Sequence, residues 1–162
     1  MGSQLRKANK NNVYAFANKG LSYAYIAGFL DGDGCITIKF EKCKTTTLGF
    51  VAKVRVSFTQ HKSKREILDF LCEYIGSGSV HEYQHNNMAE YVIHDQKCIT
   101  EFLRDIEPFI FVKRRHLQLA QELILLKKKE QYTKESLAKM LNLRKKMASL
   151  NNYSKKFLSL TP

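Results

Sequence analysis

Tyr25, Ile26, Phe29 and Leu30 recur at helical spacing, Ser22 stands where an N-cap belongs, and the glycines around Asp33 end the run, so the pattern predicts a first helix. From Cys35 to Cys43 and from Gly49 to Gln60 the period changes to two, across a polar KTTTLG turn, which predicts a β-hairpin. Ile36, Ile38 and Phe40 share one face against Thr37, Lys39 and Glu41; Val54, Val56 and Phe58 likewise oppose Lys53, Arg55 and Ser57. One face of that hairpin is core and the other is polar and partly basic. Ser63 and Glu66 have capping-box spacing ahead of Ile67, Phe70, Leu71, Tyr74 and Ile75, a second helix stopped by IGSGS. Val80 to Tyr83 and Tyr91 to Ile93 predict a shorter hairpin across QHNNMA. Asp95 caps a third helix whose stripe, Ile99, Phe102, Leu103 and Ile106, ends at Glu107-Pro108. Two further helices follow, about Lys113 to Lys128 and Lys134 to Leu150, with lysine-rich polar faces. The predicted class is α/β (α+β), of order αββαββα with basic helices at the C-terminal end.

At 162 residues and 44% hydrophobic content, the chain suits one globular domain, expected over residues 21–162, with residues 1–20 as a flexible basic arm. No apolar run approaches the ~18 residues a membrane helix needs, and the Asn-rich start lacks a secretory h-region, so an intracellular protein without a membrane partner is expected. Cys35, Cys43, Cys72 and Cys98 form no CxxC pair and read as reduced, mostly buried thiols; His81 and His85, the one close histidine pair, have no cysteine partner for a zinc site. The net charge is +12, and from Lys113 onward 13 Lys and Arg face 3 acids. Such a field favours a polyanion, nucleic acid being the commonest.

The unusual chemistry lies at the seam between the first helix and the first strand, IAGFLDGDG over Ile26 to Gly34. A calcium loop fails on spacing: with Asp31 as position one, position five is Cys35, position six Ile36 and position twelve Lys42. Ala24, Gly28 and Gly32 are four apart and share a helical face bare enough for another backbone to approach. With only one such helix in the chain, a second copy could be the partner, and a two-fold axis would then bring two Asp33 side chains together, a repulsion that a divalent metal relieves. No Gly-rich phosphate loop, no second copy of the motif and no Ser or Cys nucleophile motif is present.

The nine residues closely resemble the LAGLIDADG motif of the homing endonucleases, with conservative changes at Ile26, Phe29 and Leu30 and with Gly32 in place of alanine. The resemblance extends in order of elements over about Leu21 to Lys156. It implies a homodimer through the motif helices, an antiparallel β-saddle over the DNA major groove, and Mg²⁺-dependent cleavage, with Mn²⁺ able to substitute. Asp33 and the Gly32 carbonyl would hold the metal, Asp31 would cap the partner helix, and Gln60, Lys64 and Lys113 would order the metal-site water and offset charge. The target would be long, nearly palindromic double-stranded DNA, cut on both strands, and the gene intron- or intein-encoded in a prokaryote or an organelle.

A two-stranded ribbon fits the major groove, so Lys39, Glu41, Lys53, Arg55 and Ser57 are candidates to read bases, with Thr37, His81, Tyr83 and Glu90 beside them. Asn151, Ser154, Lys155 and Lys156 are candidates for phosphate contacts, which position without specifying sequence. Two alternatives use the same basic surface: a maturase binding intron RNA, and a catalytically inactive DNA-binding regulator.

Overall fold

The computed structural model of the chain describes residues 22–151. Helix α1 (Tyr23–Asp33) runs into strand β1 (Gly34–Lys42), followed by β2 (Phe50–His61), α2 (Glu66–Ile75), β3 (Ser79–Glu82), β4 (Met88–Ile93), α3 (Gln96–Ile106), α4 (Arg114–Lys129) and α5 (Lys134–Leu150). The αββαββα order and both basic helices are as the periodicity predicts.

Ser22 opens α1, its side chain accepting from the Tyr25 N–H. No loop separates α1 from β1. A Cβ on Gly34 would stand 2.8 Å from both the Cα and the carbonyl oxygen of Leu30, so only glycine lets the strand leave the helix at this angle. That abrupt exit leaves Asp33 exposed at the helix end.

The strands form one antiparallel sheet in the order β1-β2-β4-β3. Its core face carries Ile36, Ile38, Val54, Val56, Phe58, Ala89, Tyr91 and Ile93, all buried. An aromatic stack runs through that layer: Phe29 lies 5.5 Å from Phe58 between ring centroids, Tyr91 5.9 Å from Phe58 on its other side, and Phe102 meets Phe58 edge-on at 6.3 Å. Helix α1 packs against β2 and α3, whereas α4 and α5 pack on each other and on β1.

Strand β4 pairs with β2 only from Val56 onward, which leaves the outward backbone groups of Val54 and Ala52 without a ladder partner. Side chains replace it. Gln96 accepts from the Val54 N–H at 2.9 Å and donates to its carbonyl at 2.8 Å; the Ala52 N–H reaches the Tyr132 hydroxyl at 3.4 Å, and Lys127 Nζ donates to the Ala52 carbonyl at 2.5 Å.

Two local expectations are corrected. Ser63 does not cap α2: Lys62–Lys64 form a 3₁₀ turn in which His61 Nδ1 accepts from the Ser63 N–H, and α2 begins at Glu66 with no side-chain cap. A capping box does open α5, where Thr133 and Ser136 bond each other's backbone N–H reciprocally. The four cysteines are free, but half-buried rather than buried. Among the described residues no helix is long and apolar enough to cross a membrane.

Candidate functional site

Asp33 ends α1, and Gln60, near the end of β2, donates from Nε2 to Asp33 Oδ2 at 2.5 Å. Residues 27 apart are thus joined at the exposed seam, with no hydrogen bond to Oδ1 of Asp33 among the described residues. Gly32 lies in the last turn of α1, where carbonyls find no helical donor four residues on. The donor set is hard oxygen, suited to a divalent cation of the Mg²⁺ type. Among the described residues no three His, Cys, Asp or Glu side chains come together around a metal-sized space.

Asp31, which the resemblance implies as a cap on a partner helix, makes its hydrogen bonds here within one chain. Its Oδ2 accepts from the N–H groups of Phe111 at 2.8 Å and Val112 at 3.1 Å, and its Oδ1 from that of Lys113 at 2.8 Å, all within its own chain. These donors precede α4, so Asp31 anchors the entrance of that helix. Burial alone would raise the Asp31 carboxyl, but the three backbone donors and the Lys113 charge outweigh it and hold its pKa below the ordinary value. Lys113 Nζ in turn donates to the Asp31 carbonyl at 2.6 Å, which fixes a cation beside the seam. Lys64 stands exposed in the 3₁₀ turn, with no ion-pair partner among the described residues.

Ala24, Gly28 and Gly32 are all exposed along α1. A Cβ added at Gly28 or Gly32 would meet nothing within 4 Å among the described residues, so no contact among them requires either glycine. Alanine would favour the helix by about 1 kcal/mol at a mid-helix position. Next to this bare face, the segment that Asp31 anchors shows Phe111 at 84% and Val112 at 68% exposure.

The polar face of the sheet arrives already paired. Lys53 Nζ meets Glu41 at 2.6 Å, and Arg55 meets Glu90 at 2.9 Å, with the Tyr83 hydroxyl donating to the same Glu90 carboxylate. That hydrogen bond, then burial, raises the Tyr83 phenol. Thr37 is half-buried and Lys39 exposed. His81 Nε2 lies 2.7 Å from the Ser79 hydroxyl, which also contacts His94 Nε2 at 3.0 Å. Ser57 is a correction: it sits in register between Cys35 and Val92, is 5% exposed, and has almost no surface with which to address a base. The Asn151 amide donates to the Ile36 carbonyl at 3.3 Å, tying the end of α5 to β1. Ser154, Lys155 and Lys156 lie outside the described residues, as does the arm over residues 1–20.

Pattern reading missed His116. It lies one turn after Lys113 among the buried positions of α4 and lines an open cleft of about 370 Å³ with Gly34, Cys35, Val112, Lys113, Leu150 and Asn151. The one signal for it was a histidine three residues from Lys113, on the same side of a helix.

A family model described as LAGLIDADG endonuclease matches residues 26–112, more than half of the chain. The chain belongs to that family. The LAGLIDADG match spans the motif, both hairpins, α2, α3 and the Asp31-anchored segment. DNA endonuclease I-CreI of Chlamydomonas reinhardtii is 28% identical over 100 residues, covering 62% of this chain and 60% of its own length. DNA endonuclease I-CvuI of Chlorella vulgaris is 26% identical over 104 residues, covering 64% of each. The match thus spans rather less than two thirds of those curated relatives. A crystal structure of I-CvuI, bound to an I-CreI target in the presence of Mg, superposes with a TM-score of 0.71 at 22% identity over 82% of this chain and 83% of that one. The homing endonuclease I-TnaI gives 0.69 at 22%, over 82% of this chain and 97% of its own. The fold is that of the LAGLIDADG endonucleases.

Proposed function

We propose that the chain is a homodimeric, divalent-metal-dependent homing endonuclease that cuts both strands of a long, nearly palindromic duplex DNA, as an intron- or intein-encoded protein. The observation that carries this is the Gln60–Asp33 pair at the exposed end of α1, beside a helix face whose two glycines are required by no contact among the described residues. Two copies joined through that face bring two hard-oxygen half-sites together. Asp33 and the Gly32 carbonyl of each copy would hold Mg²⁺, or Mn²⁺ in its place. When bound, the ion supplies a water of lowered pKa and neutralises charge on the phosphate.

The remaining work falls to side chains. Gln60, by holding Oδ2, orients Asp33 so that Oδ1 faces the seam. In an in-line hydrolysis a water oxygen bonds to phosphorus as a P–O ester bond breaks, and negative charge builds on the non-bridging oxygens. Lys64, unpaired, and Lys113, fixed on the Asp31 carbonyl, are the cations able to meet that charge. Thr37, Lys39, Glu41, Lys53, Arg55, His81, Tyr83 and Glu90 line the face proposed to enter the major groove. Because Lys53–Glu41 and Arg55–Glu90 are paired without DNA, a correct sequence must exchange those contacts for base contacts, and a wrong one strands them.

The test compares wild type with Asp33→Asn, using a duplex site selected from a random library, by gel shift and by plasmid linearisation at equal Mg²⁺. The variant is expected to bind at least as well, having lost an acid that faces phosphate, and to cut at least about 100-fold more slowly. Cleavage by the variant at the wild-type rate sinks the mechanism. A wild type that binds intron RNA and cuts no duplex would instead be a maturase.

A further inference from the structure

Strand β2 runs from Phe50 to His61, but β4 covers its outer side only from Val56 onward. Ala52 and Val54 lie before that point with 0% and 2% of their surface exposed, so their main-chain groups are shut away from water and need partners. Gln96 answers both groups of Val54. At Ala52, two residues further from the ladder, the N–H goes to the Tyr132 hydroxyl at 3.4 Å and the carbonyl accepts from Lys127 Nζ at 2.5 Å. Both partners come from one place in the fold, Lys127 from the last turn of α4 and Tyr132 from the short connection to α5. That connection is itself held, the Glu130 N–H by the Leu126 carbonyl and the Thr133 N–H by that of Gln131.

Sealing the Ala52 carbonyl needs one donor, and at Val54 a neutral amide does the same work. A lysine brings a charge as well. Lys127 is half-buried, and among the described residues no carboxylate pairs with its ammonium. Burial, and then the Lys53 cation, pull its pKa below the ordinary lysine value. The charge acting on Lys127 is thus that of the residue next to the one it holds. Lys53 stands between Ala52 and Val54, on the opposite face of the strand from their buried side chains, and its ammonium meets Glu41 at 2.6 Å. Two ammonium groups repel, so a cation on the edge side favours the Lys53 conformer that reaches across to Glu41 on β1 over one that folds back to the edge.

We propose that Lys127 is a positioning residue for DNA specificity: it ties the outer half of β2 to the end of α4 through the Ala52 carbonyl and, by repulsion, keeps Lys53 turned to the face that reads bases. This rests on the nuclease reading above only so far as that reading has the polar sheet face meet duplex DNA. A base contact discriminates only if the strand that carries it cannot shift to suit a wrong base pair, because a hydrogen bond weakens steeply as its geometry slips. Arg55 supplies the contrast. It lies next to the point where β4 begins and is tied to Glu90 of that strand at 2.9 Å, so its position does not depend on Lys127.

The experiment uses the full chain as wild type, Lys127→Met, Lys127→Arg, Lys53→Ala, Arg55→Ala and the double variant Lys53→Ala with Lys127→Met. Methionine keeps most of the stem without donor or charge, whereas arginine keeps both. Melting temperatures come first, to show which variants fold. Each protein then selects from a library holding every single-base change of a duplex site found by random selection, once by binding and once by cleavage at equal Mg²⁺. Lys53→Ala and Arg55→Ala mark the base pairs that each side chain reads. At the Lys53 base pairs, Lys127→Met is expected to lower discrimination by about 3- to 10-fold, with Lys127→Arg close to wild type and no further loss in the double variant. At the Arg55 base pairs it should change nothing. Unchanged preference in a folded Lys127→Met, a loss spread evenly over all positions, additive losses in the double variant, or a Lys53→Ala that shifts no base preference overturns the assignment. So does a Lys127→Met chain that does not fold, because Lys127 is then structural. A wild type that binds selectively and cuts nothing removes the nuclease reading alone, and the binding selection still decides on Lys127.

Discussion

Gly28 separates two energetic accounts of α1, because a side chain there acts with opposite sign on the single chain and on a dimer. It lies in the middle of an α-helix, is exposed, and has nothing within 4 Å of where a Cβ would stand. Within one chain Gly28→Leu therefore introduces no clash and gains helix propensity, about 0.8 kcal/mol, which for a chain of this length raises the melting temperature by about 2 to 3 °C. Across a two-fold seam the same side chain meets a packed backbone. Overpacking costs about 1 to 3 kcal/mol for each inserted side chain, and symmetry inserts two, so association weakens by about 2 to 6 kcal/mol, or roughly 30-fold to 10⁴-fold in Kd. Sedimentation equilibrium over a range of chain concentrations measures the second quantity, and urea melts at high dilution measure the first. The variant should be the more stable monomer and the poorer dimer. If wild type sediments as a monomer both free and on DNA, or the variant associates with the wild-type constant, the bare face is not a seam and the shared metal site falls with it.

Asp31→Asn should cost about 1 to 3 kcal/mol in urea melts at pH 7, since a carboxylate receiving three backbone N–H groups becomes a neutral amide. The folded-state pKa of Asp31 is lowered, so its stabilisation is present above the unfolded value near 4 and lost as pH falls through the lower folded value; the gap between wild type and variant should close over that window, and a gap constant down to pH 2.5 would show the charge to be irrelevant. Gln96→Ala strips both partners from the Val54 backbone and should lower stability by about 1 to 3 kcal/mol with DNA affinity unchanged, whereas an unaltered urea midpoint would mean water seals that edge as well as Gln96 does. Arg55→Ala should relax preference at a few base pairs by about 1 to 3 kcal/mol, read from cleavage of a target-variant library, and a uniform loss at all positions would reassign Arg55 to the phosphate backbone.

Periodicity alone was enough for the elements and their order. Alternation over Ile36 to Phe40 and Val54 to Phe58 marks strands with one buried face, and the seam residues from Ile26 to Gly34 identify the family, because helix and strand periods are local properties of the chain. Close approach at Gly34 is nearly as local, since the residue it must clear is Leu30, four positions away. Pairings between distant segments depend instead on register and docking, which no local period encodes. Asp31 finds its donors about 80 residues away, and Arg55 finds Glu90 35 residues on, so their partners were not legible one segment at a time. Ser57 obeys the alternation perfectly and is buried nonetheless, because the strands on either side decide what covers a polar position. Ser63 has the spacing of a cap and loses it to a competing turn closed by His61. His116 is the limiting case: a lone histidine on an apolar helix face reads as core, and only the packing of α4 beside β1 and the end of α5 sets it at the edge of the cleft it shares with Lys113. Local pattern determined which faces are apolar, while tertiary structure decided which polar atoms meet, because burial is set by summed hydrophobicity over many residues but a hydrogen bond by the position of two atoms to within a few tenths of an ångström.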